Sequence, residues 1–319
     1  MSVGVRIRLA IAVFGAIVVG VVLAGGSDGR PLPGASGCPV FPPSSHWNQP
    51  VDGLPVHQRS DAMIQAIGAD ARAHADFGSG RWEGGPIGIP YVVVGRRQPR
   101  VPVSFEYASE SDRGRYPVPR DAAVEGGRRA DGDRHVIVVD RARCVLHELF
   151  AAHPIDGGRR WRAGSGARWD LRSNRLRPRG WTSADAAGLP ILPGLARYDE
   201  VRHGRIDHAL RITVPRTRRA FVYPARHFAS DRTDPDLPAM GQRVRLRRGF
   251  DVSRFPPQAR VVLRALKRYG ALVADNGSAW YVSGAPSPRW DNDDLHSLHR
   301  VRGRDFEIVD TSSLPRPRR

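Results

Sequence analysis

Glu125, Asp133 and His135 crowd into the segment EGGRRADGDRH, directly ahead of the apolar run VIVVD. Carboxylates and an imidazole delivered to one rim of a β scaffold are the ingredients of an acid–base pair. The same residues also read as a polar Asp/Gly loop carrying a surface histidine. A second group flanks two later strands: Asp207-His208 enters HALRITV, and Arg226-His227 leaves AFVYPARH. Imidazoles at neighbouring strand ends can act as general bases, and an arginine beside them can stabilise developing negative charge. Asp207 reads equally as a turn residue and His227 as a packed ring. A third group is Arg243, Arg245 and Arg247, which alternate with Val244 and Leu246. Strand periodicity sends the three guanidinium groups to one face, and with Arg211 they form a candidate anion-binding surface. The competing reading is an ordinary solvated face in an arginine-rich chain.

Several enzyme classes lack their signatures. There is no Gly-x-Ser-x-Gly elbow, no His-Glu-x-x-His helix, no phosphate loop ending in Lys-Ser/Thr and no second cysteine pair for zinc. No metal or cofactor is therefore expected. Ala163-Gly164-Ser165-Gly166 reads as a glycine bend, and Asp275-Asn276-Gly277-Ser278 as a hairpin turn between ALVA and AWYV. In Trp290-Asp291-Asn292-Asp293-Asp294, Asp293 or Asp294 is expected to cap a following helix rather than bind calcium.

The elements that must position these groups are mostly strands. Short β-branched or aromatic runs bounded by turn residues recur at 88–94, 101–107, 135–140, 145–150, 209–214, 220–223, 244–250, 271–274, 279–282 and 306–309. The runs 135–140 and 144–150 predict a hairpin. Helices are fewer. Ser60 can cap one carrying Met63, Ile64 and Ile67; Thr182 and Asp185 resemble a capping box; and 256–269 places Ala259, Val262, Leu263 and Leu266 on one face before Gly270. Together these predict a mainly β fold: an antiparallel, jelly-roll-like sandwich with one packed helix in the C-terminal half and a few short helices.

Residues 9–26 form an uncharged apolar run behind Arg6 and Arg8, the pattern of a signal peptide cleaved before Ser27 or of an uncleaved membrane anchor. Lipoprotein processing at Cys38 is a third variant. Residues 27–37 read as a flexible spacer, 38–314 as one extracellular β-rich domain and 315–319 as a basic tail. Cys38 and Cys144 are the two cysteines of the chain and predict one disulfide in an oxidising compartment. The formal charge of +18 comes almost wholly from arginine, with Lys267 the sole lysine. Because acidic and basic residues are interspersed, a nucleic-acid partner is not expected.

The segments CPVFPPSSHWNQPV, DGDRHVIVVDRARC, WRAGSGARWDLRSN, GWTSADAAGLPILPGLARYDEV, RIDHALRITVPRTRRAFVYPARHFAS and ALVADNGSAWYVSGAPSPRWDNDDLH resemble a group of secreted bacterial hypothetical proteins, notably from actinobacteria. The resemblance spans nearly all of the chain after the spacer and implies export and a shared fold. It carries over no functional residue. The expectation is a secreted or surface-tethered carbohydrate-active protein, a polysaccharide hydrolase or lyase, with Trp47, Trp82, Trp161, Trp169 and Trp181 as candidates to stack on sugars. The alternative is a non-catalytic module that binds an anionic glycan or cell-wall polymer through arginine, and a third reading is a scaffold with no site.

Overall fold

A strand buried on both faces reads as an unbroken apolar run, and in Val136–Asp140 all five residues are buried. The computed structural model, which describes Met1 and residues 30–316, shows what covers it. Ile137 and Val139 enter one hydrophobic core and Val136 and Val138 a second, as the two-residue period of a strand demands. This strand lies inside a four-stranded sheet ordered Ser165–Asp170, Val145–Phe150, Val136–Asp140, Tyr91–Val94. The hairpin expected from the sequence is present in it.

The first core is shared with a six-stranded sheet ordered His74–Asp76, Tyr281–Ser283, Leu210–Val214, Ala271–Asn276, Arg243–Leu246, Phe306–Ile308. The second core is shared with another four-stranded sheet, Arg115–Tyr116, Val101–Phe105, Arg160–Ala163, His153–Ile155. A two-stranded hairpin, Arg81–Trp82 with Gly85–Pro86, stands apart. The fold is thus mainly β, with few and short helices. It departs from an antiparallel jelly roll because each of the three larger sheets contains a parallel pair, such as Leu210–Val214 with Ala271–Asn276. Long connections bring these strands back in the same direction.

The Asn-Gly turn illustrates the difference. Ala271–Asn276 and Tyr281–Ser283 are not partners, because Leu210–Val214 lies between them. The turn bonds to that intervening strand instead: Gly277 N donates to Val214 O, and the Thr213 hydroxyl donates to Ser278 O.

The helix Pro257–Arg268 buries Ala259, Val262, Leu263 and Leu266 as expected. Its N-terminal amides are capped from a distance, since the Asp294 carboxylate accepts from Gln258 N and Ala259 N at 2.8 and 2.7 Å. Asp291, rather than Asp293 or Asp294, caps the helix Asn292–His296. Gly270 closes the long helix at φ +67°, where a Cβ would stand 2.2 Å from Val244 O. The helix Ser60–Ile67 buries Met63, Ile64 and Ile67, but the Ser60 hydroxyl accepts from Ile308 N instead of capping. No helix forms at Thr182.

The apolar run 9–26 lies outside the described residues; among those described, no helix is long and apolar enough to cross a membrane. The expected spacer is packed from residue 30 onward. Leu32 and Ala35 are buried in the first core, and Arg30 O accepts from Arg197. Cys38 and Cys144 form a disulfide across a sequence separation of 106 residues, tying this leading segment to the turn of the 136–150 hairpin. A cross-link across so long a loop restricts the unfolded chain strongly. Urea denaturation of C38A/C144A against the wild type is expected to show a loss of about 4 kcal/mol.

Candidate active site

The edge strand His74–Asp76 and the loop leading into Val136–Asp140 face each other across a cleft of about 910 Å³. Asp76, Glu125, Asp131 and Asp133 line it, with Tyr281 beside them and Trp82 on the hairpin wall. Trp82 is 71% exposed, whereas Trp47, Trp161 and Trp169 are core residues. Trp181 is half-buried and packs on Arg177. Of the five tryptophans considered from sequence, only Trp82 therefore offers an open ring to this cleft.

Backbone contact fixes the wall. A Cβ on Gly85 would lie 2.0–2.5 Å from the backbone of Gly126, which is itself left-handed at φ +67°. The two glycine pairs, in WEGG and VEGG, let the Trp82 hairpin and the Glu125 loop touch backbone to backbone. Arg134 holds the loop from within, donating to the carbonyls of Ala130, Arg128 and Ala152. Its role is structural, although it borders the cleft.

Glu125 and His135 form the centre of the site. His135 Nδ1 lies 2.5 Å from Glu125 Oε2, and its Nε2 lies 2.8 Å from Ala184 O. A carbonyl can only accept, and so can an ionised carboxylate, so both ring nitrogens carry protons and the ring is an imidazolium. Burial opposes that charge, but Glu125 outweighs it and pushes the His135 pKa up to about 9. Burial likewise disfavours the Glu125 carboxylate, and His135 overcomes it, leaving Glu125 below its ordinary value.

Behind the pair lies Arg211, almost completely buried. Its Nε contacts Asp185 at 2.9 Å, one terminal nitrogen donates to Ser283 Oγ at 2.8 Å and the other meets Asp275 at 3.2 Å. Ser283 is the register partner of Asp76, and Ala184 O, the imidazolium's acceptor, immediately precedes Asp185. One connected network thus runs from Glu125 through His135 and Asp185 to Arg211, Asp275 and Ser283. Burial raises the Asp185 and Asp275 pKa values against the pull of Arg211. Asp76 remains solvent-exposed at the cleft, and its carboxyl is raised, first by partial desolvation and then by the charge of Glu125, with Arg211 pulling against them and Asp133 adding a smaller push.

The structure therefore brings together Glu125, Asp133, His135 and Arg211 from the sequence candidates. The others lie elsewhere. His208 is buried, 3.1 Å from Glu200 and 2.8 Å from Ala209 O, in a pair completed by Arg197. Asp207 pairs with exposed Arg205. His227 donates to Ala186 O and stacks on Phe228, and Arg226 donates to Arg177 O. Arg243 and Arg245 do not form an open anion-binding face, because residues 46–54 cover them. Arg243 donates to Tyr269 O and His46 O, while Arg245 pairs with Glu307 at 2.7 Å and donates to the carbonyls of Val51 and Leu54. Arg247 alone of the three is exposed, against Asp61 and Arg304 O. Asp76, Asp185 and Asp275 are members of the site that the sequence reading missed. Asp275 was hidden in a turn signal and Asp185 in a capping pattern; Asp76 had no local motif at all.

Among the described residues, no group of three or more His, Cys, Asp or Glu side chains is placed to hold a metal ion. No protein-family model, curated protein or solved structure matches the chain.

Because the folded-state pKa of His135 lies above its ordinary 6.5, its contribution to stability is complete below that pH and is lost as pH rises through about 9. Glu125, held low, contributes above its ordinary value and loses the contribution as acid protonates it. In ¹⁵N NMR the His135 ring is expected to stay an imidazolium well above pH 7, and E125Q to bring its titration down sharply. Gly85→Ala is expected to cost about 1–3 kcal/mol in chemical denaturation, because the new methyl meets backbone that cannot rotate away.

Proposed function

We propose that the protein acts outside the cytoplasm as a glycan hydrolase whose cleft uses Asp76 as general acid and Glu125 as general base. The observation that carries this reading is the placement of two cleft carboxyls in different surroundings: Glu125 lies 2.5 Å from the His135 ring, and Asp76 stands on the edge strand across the cleft. The carboxylate held ionised by an imidazolium suits the base, and the carboxyl shifted upward is the better proton donor of the two. Trp82 supplies an apolar face at the rim for a sugar ring, and the Cys38–Cys144 disulfide suits an oxidising compartment.

In the proposed reaction, the Asp76 carboxyl gives its proton to the glycosidic oxygen as the bond from that oxygen to the anomeric carbon breaks. Water attacks the anomeric carbon, and Glu125 takes the water's proton. His135 holds the Glu125 carboxylate ionised and oriented without touching substrate. Arg211 compensates charge from behind the strand that carries Ser283, the register partner of Asp76.

Incubation of the purified protein with a panel of neutral and acidic glycans, read as new reducing ends, tests the proposal. Cleavage is expected to fall about 100-fold or more in D76N and in E125Q, with both variants still folded by circular dichroism. Absence of reducing ends at any pH would remove the hydrolase, and unsaturated products would replace it with a lyase. Undiminished cleavage by both variants would move the chemistry away from this cleft.

A further inference from the structure

The cleft does not end at the edge strand. His74 lines it and also lines a small pocket beyond, which is bordered on its far side by His296 and His299. Those two histidines in turn line a groove of about 620 Å³ with Arg72, Arg254, Arg300 and Arg302. Ring contacts connect the three compartments: Tyr281 stacks on His74 at 4.3 Å, His74 stacks on His299 at 4.9 Å, and His299 meets His296 at a tilt, 4.2 Å centroid to centroid. An aromatic path therefore joins an acidic cleft to a basic groove.

The groove has charge to spare. Arg300 is committed to Phe255 and to Arg254 O, and Arg302 to Asp70 O. Arg254 is 85% exposed and, among the described residues, pairs with Asp251 at 3.4 Å. Asp293 is the sole carboxylate in the lining. The Ser297 hydroxyl in the same wall has no hydrogen-bond partner among the described residues. Burial, and after it the neighbouring imidazoles and, for His299, Arg72, hold the His74 and His299 rings below their ordinary value; negative charge bound in the groove favours their protonated form.

From this continuity and the reversal of charge along it, we infer that the site takes an anionic glycan, a neutral sugar lying in the acidic cleft and a carboxylate- or sulfate-bearing unit in the groove of Arg72, Arg254, Arg300 and Arg302. This deepens the hydrolase reading and rests on it for the position of the scissile bond. A polymer carrying charge on every unit is disfavoured, because Asp76, Glu125 and Asp133 repel an anionic sugar among them. Arginine forks match carboxylate and sulfate oxygens.

The test measures binding of hyaluronan, whose charged and neutral units alternate, of dextran sulfate and of neutral dextran, at low and high salt. Wild type is expected to bind hyaluronan in a salt-sensitive way and more tightly than dextran. R72Q/R254Q is expected to weaken hyaluronan binding on the order of tenfold. R159Q/R264Q removes the same charge from exposed positions away from the groove and is expected to retain the wild-type affinity. Binding of hyaluronan that is lost in R72Q/R254Q but kept in R159Q/R264Q, with no cleavage of any glycan, upholds the groove and refutes the hydrolase. Failure of wild type to bind hyaluronan, tighter binding of dextran sulfate than of hyaluronan, or equal hyaluronan binding by R72Q/R254Q and wild type overturns the inference whatever the cleavage assay gives.

Discussion

A guanidinium with almost no contact with water must have its charge answered inside the fold. Arg211 answers it with Asp185 on one side, Asp275 on the other and the Ser283 hydroxyl between. The strand that carries Arg211 lies between those of Ser283 and Asp275, so the ion cluster and the sheet order require each other. Removing one member of such a cluster leaves the rest buried and uncompensated, at a cost of about 3–5 kcal/mol. Gly194 also belongs to this constraint: a Cβ there would stand 2.9 Å from Arg211 Cβ and 2.8 Å from the Trp47 ring, so close packing fixes the base of the arginine as well.

Through the adjacent Ala184 carbonyl the same cluster holds the His135 imidazolium, and through His135 it holds Glu125 ionised at the cleft. The chemistry proposed for the cleft depends on this chain of contacts. Two carboxyls in one cleft become different acids only because an imidazolium is fixed beside one of them and the other is left against burial and like charge. In the proposed reading, the basic groove beyond His74 extends the logic from reaction to recognition, with negative charge accepted at one end of the path and repelled at the other.

Local patterns made part of this legible. The Val136–Asp140 hairpin, the long helix with its glycine stop and the disulfide all follow from periodicity, turn chemistry and cysteine count. Glu125, Asp133 and His135 were readable as a unit because they lie close in the chain. Asp76, Asp185 and Asp275 were not, since three distant segments meet only when parallel strands return to one sheet, and no local motif encodes that return. The Asn-Gly signal misled for the same reason: the turn forms, but a third strand occupies the place of its expected partner. Arginine was misread by face. Arg243 and Arg245 alternate as predicted, yet residues 46–54 cover the side to which they point, and Arg177 likewise turns inward to Asp112 and the carbonyls of Thr182 and Glu110. Arg134, Arg177, Arg197, Arg211, Arg243 and Arg245 are thus buried structural groups rather than parts of a docking surface.

The most direct test of the central claim is a ¹³C NMR titration of the Asp76 and Glu125 side-chain carboxyls in the intact protein. The account predicts that Asp76 titrates above the ordinary aspartate value of 3.8 and Glu125 below the ordinary glutamate value of 4.5. Titration of both groups at their ordinary values, with aspartate below glutamate, would contradict it.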